Sequence, residues 1–592
     1  MISPYDWLSV AFYLAFVIWV GLVYSGRSRN TSDYFRAGGA MPWWVTGTSS
    51  WMAGFSAWTF TGAAGKIFST GPYTLLLFYS VLLPLVFLFL FTSHRFRRMG
   101  VVTPLEAVRL RFGPRSQLFF TWARLPFILI FGGVTLNAVG VFIAAVLDAY
   151  PPLVILLLGL TVSLLAMFGG SFGVVASDFV QMFLVVSVTV MVSVLALAQP
   201  DIGGLRGMFV QTPQPHYDWG EFARPQFILL WFVALMVTKF FEENSIDKST
   251  KFLMTRSERD ARLTLLIPFV GMILGPFIWM IPPTVAAIRH GDDIGLFFNN
   301  LKFPEEGAFV LTASEVLPSG MMGLLLCGIL GATLTSLDGG LNQGAGIFVR
   351  NFYLPMVNPR AKEERLLLIS KLSTGAFGAA MVVCAMGWEY FRELPLFELL
   401  TQVAISLGLP MSIPLCLGLF WRKTPPWAAW STVLLGLFGS LVTRFWLTPG
   451  MFAWIPGLEG PYQPEEVTTF YIFASVFLVG TLCTLWFLGT RLFYKEDDSR
   501  YLARKREFFR RLDHPGPPSG EEELASSRVI LATIGRLCQV YGLFVASLVL
   551  IPNPAGGRLC FLICGGLIFG IGFVIYRNHR KKGPGETLRG EQ

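Results

Sequence analysis

Charge is scarce in this chain of 592 residues. Asp, Glu, Lys and Arg make up 14% of it, against roughly a quarter in an ordinary soluble domain, which excludes a water-soluble globular protein. Cysteine is scarce too: Cys327, Cys384, Cys416, Cys483, Cys538, Cys560 and Cys564 all lie in apolar stretches without metal-ligand spacing. That excludes a disulfide scaffold and a thiolate metal site, and leaves these residues as small buried hydrophobes. Histidine occurs five times, at positions 94, 216, 290, 514 and 579, always in loops or the tail. With no nucleophile–base pair and no metal motif beside them, a membrane-embedded enzyme finds no support. No basic residue precedes the first apolar run, so a permanent anchor is expected there instead of a cleaved secretory signal. Glycine (60) and proline (36) are scattered without a period, so collagen-like and low-complexity chains are excluded as well.

What fills the space is apolar: 54% of residues are hydrophobic and 15% aromatic. A bilayer-spanning helix needs about 20 apolar residues, because only a helix closes its own backbone hydrogen bonds in hydrocarbon. Such runs recur over 5–24, 42–66, 72–92, 116–147, 152–169, 173–198, 225–250 and 263–288, then over 317–352, 366–388, 395–421, 428–447, 467–492, 529–551 and 558–576. The expectation is an all-α polytopic membrane protein with about fifteen transmembrane helices.

The loop charges agree with that count. Alternate connections carry Arg27, Arg29 and Arg36; Arg95 to Arg115; Lys251 to Arg262; Arg350 to Arg365; Arg422 and Lys423; Arg491 to Arg511; and the tail, while the intervening loops carry isolated residues such as Arg206, Lys302 and Arg392. Basic loops stay in the cytoplasm, so the amino terminus is expected outside a plasma (inner) membrane and the carboxyl terminus inside. The formal charge of +9 is then a topology device, with no nucleic-acid partner implied. Residues 494–528, basic and carrying Phe508 and Phe509, read as a membrane-surface helix followed by a Pro-Gly linker, too short for a signalling domain.

Two spans are unusual. The second carries Gly47, Gly54, Gly62 and a series of hydroxyls at membrane depth; the seventh is apolar only until Thr238-Lys239-Phe240-Phe241-Glu242-Glu243-Asn244-Ser245. Charge at such depth is costly unless it faces a cavity or pairs, so Lys239, Glu242 and Glu243 are functional candidates. The alternative is that Lys239 and Glu243, four residues apart, close a salt bridge at a helix end. Each unusual span opens a block of five: 42–198 and 225–421, flanked by 1–41 (a peripheral helix and loop), 199–224 (an extracellular loop) and 422–592 (further peripheral helices with a basic segment and tail). An odd number of spans per block inverts the second block. A five-plus-five inverted repeat with two interrupted helices points to a secondary transporter.

At these residues the chain resembles the sodium/solute symporter family, of the sodium/proline and sodium/galactose type, which has the leucine-transporter-type fold. The resemblance is carried by Ser32-Asp33-Tyr34-Phe35-Arg36-Ala37-Gly38-Gly39 with Pro42-Trp43-Trp44, by Ser56-Ala57 and Gly62, and by Leu417-Gly418-Leu419-Phe420-Trp421 running into Arg422-Lys423-Thr424. It implies symport of a small solute with sodium. It also implies a sodium site built from the carbonyls of Met52, Phe55 and Ala332 and the hydroxyls of Thr335 and Ser336. Asp178 matches an acidic residue that some members use for a second sodium; Asp338, on a different helix face from Ser336, is placed either to pair with Asn342 four residues on or to contact the ion. A hard cation suits this oxygen set, and a broken helix frees carbonyls for it.

The solute site is expected between the two breaks, lined by Ser56, Trp58, Thr59, Thr238, Lys239, Phe241 and Glu242, with Gln402 from the tenth core helix. Trp58-Thr59 stands where the galactose type has an acidic–amide pair, and Gly54 where the proline type has an acidic residue. The main reading is therefore an amino acid or another small zwitterion or carboxylate, met by Lys66, Arg124 or Lys239. A sugar or sialic-acid-type solute, proton coupling through Asp178 or Glu242, and a transporter-derived sensor are the alternatives.

Overall fold

The computed structural model describes residues 2–25, 39–168, 171–217, 224–454, 457–496, 499–516 and 520–580. The stretch 32–38 and the end of the tail therefore lie outside the described residues, as does the side chain of Thr335. The principal helices are α1 (Pro4–Ser25), α2 (Trp43–Ala53), α3 (Gly62–Thr70), α4 (Pro72–Arg98), α5 (Pro114–Leu147), α6 (Pro151–Phe168), α7 (Ser171–Leu197) and α8 (Pro225–Glu243). They continue with α9 (Leu266–His290), α10 (Met321–Phe348), α11 (Glu363–Phe391), α12 (Leu396–Leu417), α13 (Ala428–Trp446), α14 (Pro464–Gly489), α15 (Ser499–Asp513), α16 (Glu521–Ser547) and α17 (Ala555–Arg580). Twelve helices among the described residues are long and apolar enough to cross a membrane; α1, the broken pair α2–α3 and α6 stand where the other expected spans fall. Several open on a proline in the first turn, where its missing N–H costs nothing, as at Pro114, Pro225 and Pro464.

The third and fourth helices of each repeat, α5, α6, α10 and α11, pack on one another as a scaffold. Against it lie the first two of each repeat, with α9 on α2 and α3, and α8 on α4. The hairpin α16–α17 joins α7 and α1, where Phe12 stacks on Phe544 at 3.6 Å. The basic loops meet in one layer: Arg98 bonds Glu258 (2.8 Å) and the Leu512 carbonyl (3.0 Å), Arg422 bonds Asp513, and Arg511 bonds the Met99 carbonyl. We refer to this as the basic end.

Two expectations are corrected. The break in the seventh span does not fall at Thr238: α8 runs unbroken to Glu243, and the chain turns at Asn244–Ser245 before the short helix Thr250–Leu253. Asn244 fixes this turn, its amide reaching the Phe240 carbonyl and its side-chain oxygen accepting from Thr92. Nor does α15 offer its aromatic face to a membrane surface. Tyr501, Phe508, Phe509 and Leu512 are buried among Phe96, Val108 and Phe112. Beneath them Arg111, fully buried, donates to the carbonyls of Gly418 and Trp421, to Thr424 and to Tyr501, so it satisfies the backbone acceptors left at the end of α12. Burial beside Arg111 pulls the Lys505 ammonium of α15 down to about 8.

Inside α9, Pro282 has no N–H for the carbonyl of Ile278, four residues earlier. Ser193 of α7 supplies the missing donor at 2.8 Å. Ser193→Ala is accordingly expected to destabilise the purified protein by about 1–2 kcal/mol, the cost of leaving a buried acceptor unmet, read as a lower denaturation midpoint. Unchanged stability would mean that the carbonyl finds another donor.

Candidate functional site

The break between α2 and α3 follows from its sequence. Ala53 and Gly54 end the helix, Ser56 is extended (φ −154, ψ 172), Ala57–Thr59 form a single tight turn, and the helix resumes at Gly62. Glycine at 62 is required by space, since a Cβ there would sit 2.7 Å from the Trp58 ring nitrogen and 2.9 Å from the Phe397 amide. Backbone groups at the break find partners on α10: the Ala57 N–H donates to Thr333 Oγ1 at 2.9 Å. The Ser336 hydroxyl lies 3.5 Å from the Phe55 carbonyl and 3.2 Å from the Ala332 carbonyl.

Three of the expected sodium ligands, Phe55, Ala332 and Ser336, are thus brought together. Of the other two, Met52 is one turn earlier, its carbonyl accepting from the Phe55 N–H at 3.0 Å, and the side chain of Thr335 lies outside the described residues. Ser336 also borders a cavity of about 140 Å³ between α5 and α10, with Thr135 and Gln343 on its wall and Arg124 at its basic end. Arg124 is held by Asp247 at 2.5 Å. Such a cluster of carbonyl and hydroxyl oxygens fits a hard monovalent cation and offers nothing to a soft one.

Asp178 is fully buried on α7. It accepts from Ser49 of α2, and the Lys251 ammonium bonds the same Ser49 oxygen at 2.6 Å while standing 4.0 Å from the carboxylate. Asp338 takes a hydrogen bond from Asn342 at 2.6 Å, as its spacing implied.

The expected solute residues separate into two groups. Near the end opposite the basic layer, Phe397 of α12 stacks on Trp58 (5.6 Å between centroids) and also meets Trp231 of α8 (6.2 Å); Trp58 donates to the Leu396 carbonyl at 3.0 Å. Ser56 and Thr59 flank Trp58, and Gln402 lies half-buried on α12 one turn past Glu398, which binds Lys66 at 3.1 Å. Thr238, Lys239, Phe241 and Glu242 lie further along α8; from Trp231 to Glu242 is about 16 Å of helix rise. There Glu242 binds Lys239 (2.8 Å) and Lys248 (3.2 Å), Thr238 bonds its own helix at Ala234, and Phe241 faces α14 in a groove with Val476 and Gly480. The break's displacement to Asn244 explains the split: these residues ride on regular helix, not on an unwound segment.

Sequence reasoning missed Thr333, Lys251, Ser49, Phe397 and Trp231. Only Lys251 carried a signal, as a basic residue immediately after an interrupted span; the rest are polar or aromatic residues whose role depends on which helix they meet.

The profile of the Sodium:solute symporter family matches residues 34–436. Among curated proteins, the sodium/sialic acid symporter NanT of Aliivibrio fischeri is 23% identical over 75% of this chain and 87% of its own length. The sodium/glucose cotransporter of Vibrio parahaemolyticus is 25% identical over 75% of this chain and 86% of its own length. A solved Na+-coupled sialic acid symporter, substrate-bound and outward-open, superposes with a TM-score of 0.66 at 18% identity, over 83% of this chain and 98% of that one. The family profile spans more than half of the sequence and the folds agree, so this chain belongs to the sodium:solute symporter family, as a multi-pass membrane transporter that couples a small solute to sodium and is not an enzyme.

Proposed function

We propose that this chain imports a sugar- or sialic-acid-type solute with sodium by alternating access across the plasma membrane, amino terminus outside and basic end in the cytoplasm. The observation that carries the coupling is the approach of Ser336 to the Phe55 and Ala332 carbonyls at the helix break. The cavity from Ser336 to Arg124 supports sodium release at the basic end. For the solute, each cation that would receive a carboxylate, an amino acid's or a sialic acid's alike, is already held by a protein carboxylate: Lys66 by Glu398, Arg124 by Asp247, Lys239 by Glu242. Within this class that favours a neutral sugar. The faces of Trp58, Phe397 and Trp231, with the hydroxyls of Ser56 and Thr59, suit a ring with an apolar face and a polar edge. The named activities of the relatives support the same solute class over the amino-acid reading.

One sodium ion crossing ~100 mV yields about 2.3 kcal/mol, and a tenfold concentration gradient adds about 1.4 kcal/mol. That sum sustains accumulation of several hundred-fold. Coupling is reciprocal, so sodium tightens solute binding by the factor with which solute tightens sodium binding.

Proteoliposomes loaded without sodium and given labelled N-acetylneuraminate, glucose or proline test the reading. Uptake of N-acetylneuraminate or glucose is expected to rise at least ~10-fold when external potassium is replaced by sodium, because only then does a coupled ion favour solute entry. Sodium-driven uptake of proline alone would return the function to an amino-acid carrier.

A further inference from the structure

Asp178 lies about two turns into α7 with none of its side chain exposed, on a helix packed against α2, α9 and α10. A carboxylate in such a place persists only with a compensating positive charge. The structure carries one. Lys251 extends from the short helix Thr250–Leu253, whose Phe252 and Leu253 are buried. That segment is locked to the start of α2 by the Met41 N–H bonding the Met254 carbonyl (2.9 Å) and the Arg256 N–H bonding the Met41 carbonyl (3.1 Å). Its ammonium donates to Ser49 Oγ at 2.6 Å, Ser49 donates to Asp178, and the two charges stand 4.0 Å apart.

We infer that the Lys251 ammonium is a tethered cation that takes the place of a second sodium at Asp178, so that this transporter binds and carries a single sodium ion. Asp178 carries one negative charge and Lys251, 4.0 Å away, one positive charge. The pair is neutral by itself, so a second ion at Asp178 would leave an excess positive charge buried. The chain of contacts is also specific to an amine. Lys251 donates to Ser49, and Ser49 turns its own proton toward the carboxylate, so that the one hydroxyl serves as acceptor and donor at once. This inference rests on the sodium reading of the helix break.

Equilibrium binding of radioactive sodium to the purified full-length protein in detergent micelles tests it. The wild type is expected to bind one sodium per chain with a Hill coefficient of one. Lys251→Met is expected to double the count, as Asp178 recruits an ion in place of the lost amine. Lys251→Arg keeps the count at one, and adding Asp178→Asn to Lys251→Met returns it to one. Lys251→Gln, which keeps a donor for Ser49 and removes only the charge, serves as a second neutral variant should the methionine variant fail to fold. Two sodium ions bound by the wild type would overturn the inference whatever the variants do. So would a count that stays at one in both neutral variants. Absence of any saturable sodium binding by the wild type would instead remove the sodium reading itself, and this inference with it.

Discussion

Ser336→Ala is expected to raise the sodium concentration for half-maximal uptake by about 10–100-fold, while the ion-free protein keeps nearly its full stability. The hydroxyl sits between two carbonyls of different helices, Phe55 at the break and Ala332 one turn back on α10. An oxygen facing a charged partner contributes about 1.5–3 kcal/mol, and each 1.4 kcal/mol is tenfold in affinity. The competing account is local: a serine inside a helix returns its proton to the carbonyl four residues earlier, and Ser336 does so at 3.2 Å. In that account alanine loses only a back-bond that the helix does not need, and sodium dependence is untouched. The two separate cleanly in a thermal-shift titration. If the hydroxyl serves the ion, the variant without sodium melts with the wild type and the stabilisation gained on adding sodium shrinks. Equal sodium titrations in the two proteins would exclude Ser336 from the ion site.

The membrane architecture was readable because hydrocarbon leaves the chain few choices. Runs such as 116–147 and 467–492 become α5 and α14 with their boundaries nearly unchanged, and a proline opens each. Charge gave the loops their side, and the structure gathers Arg98, Arg111, Arg422 and Arg511 into one layer. The first break was legible for the same physical reason: Gly54 and Gly62 with hydroxyls between them cannot hold a lipid-facing helix. The second was misplaced because Lys239 and Glu242 look unfit for a helix interior, yet three residues apart they neutralise each other on regular α8. Side-chain meetings across the bundle were beyond reach. Asp178 suggested an ion, and nothing in its neighbourhood of sequence announced Lys251. Trp58 suggested a solute contact, whereas Phe397, which covers its face, lies more than three hundred residues away. Arg392 was read as an isolated loop charge, although it is among the most enclosed cations of the described residues, with 1% of its side chain exposed.

That arginine carries the other large expected effect. Arg392 grips Glu306 through both terminal nitrogens, at 2.8 and 3.0 Å, with both side chains 1% exposed. Glu306 in turn accepts from the Leu396 N–H at 2.7 Å, and the Leu396 carbonyl accepts from Trp58. One chain of contacts therefore joins the segment Pro304–Gly307, the first turn of α12 and the interrupted second span. Gly65 of α3 lets that segment lie close, since a Cβ there would come within 3.2 Å of the Glu305 backbone. Removing either partner of such a pair strands a charge away from water. Glu306→Ala and Arg392→Ala are each expected to cost about 3–5 kcal/mol in denaturant titrations of the purified protein. The double change Glu306→Leu with Arg392→Met removes both charges and keeps the volume, so most of that stability should return. Transport should not return with it, because leucine cannot accept from the Leu396 N–H and the link from there to Trp58 is loosened. Restored stability with uptake still several-fold below wild type would mark the pair as a positioning device for the Trp58–Phe397 contact. Single variants within about 1 kcal/mol of wild type would show instead that water reaches this pair, as it does ordinary surface ion pairs.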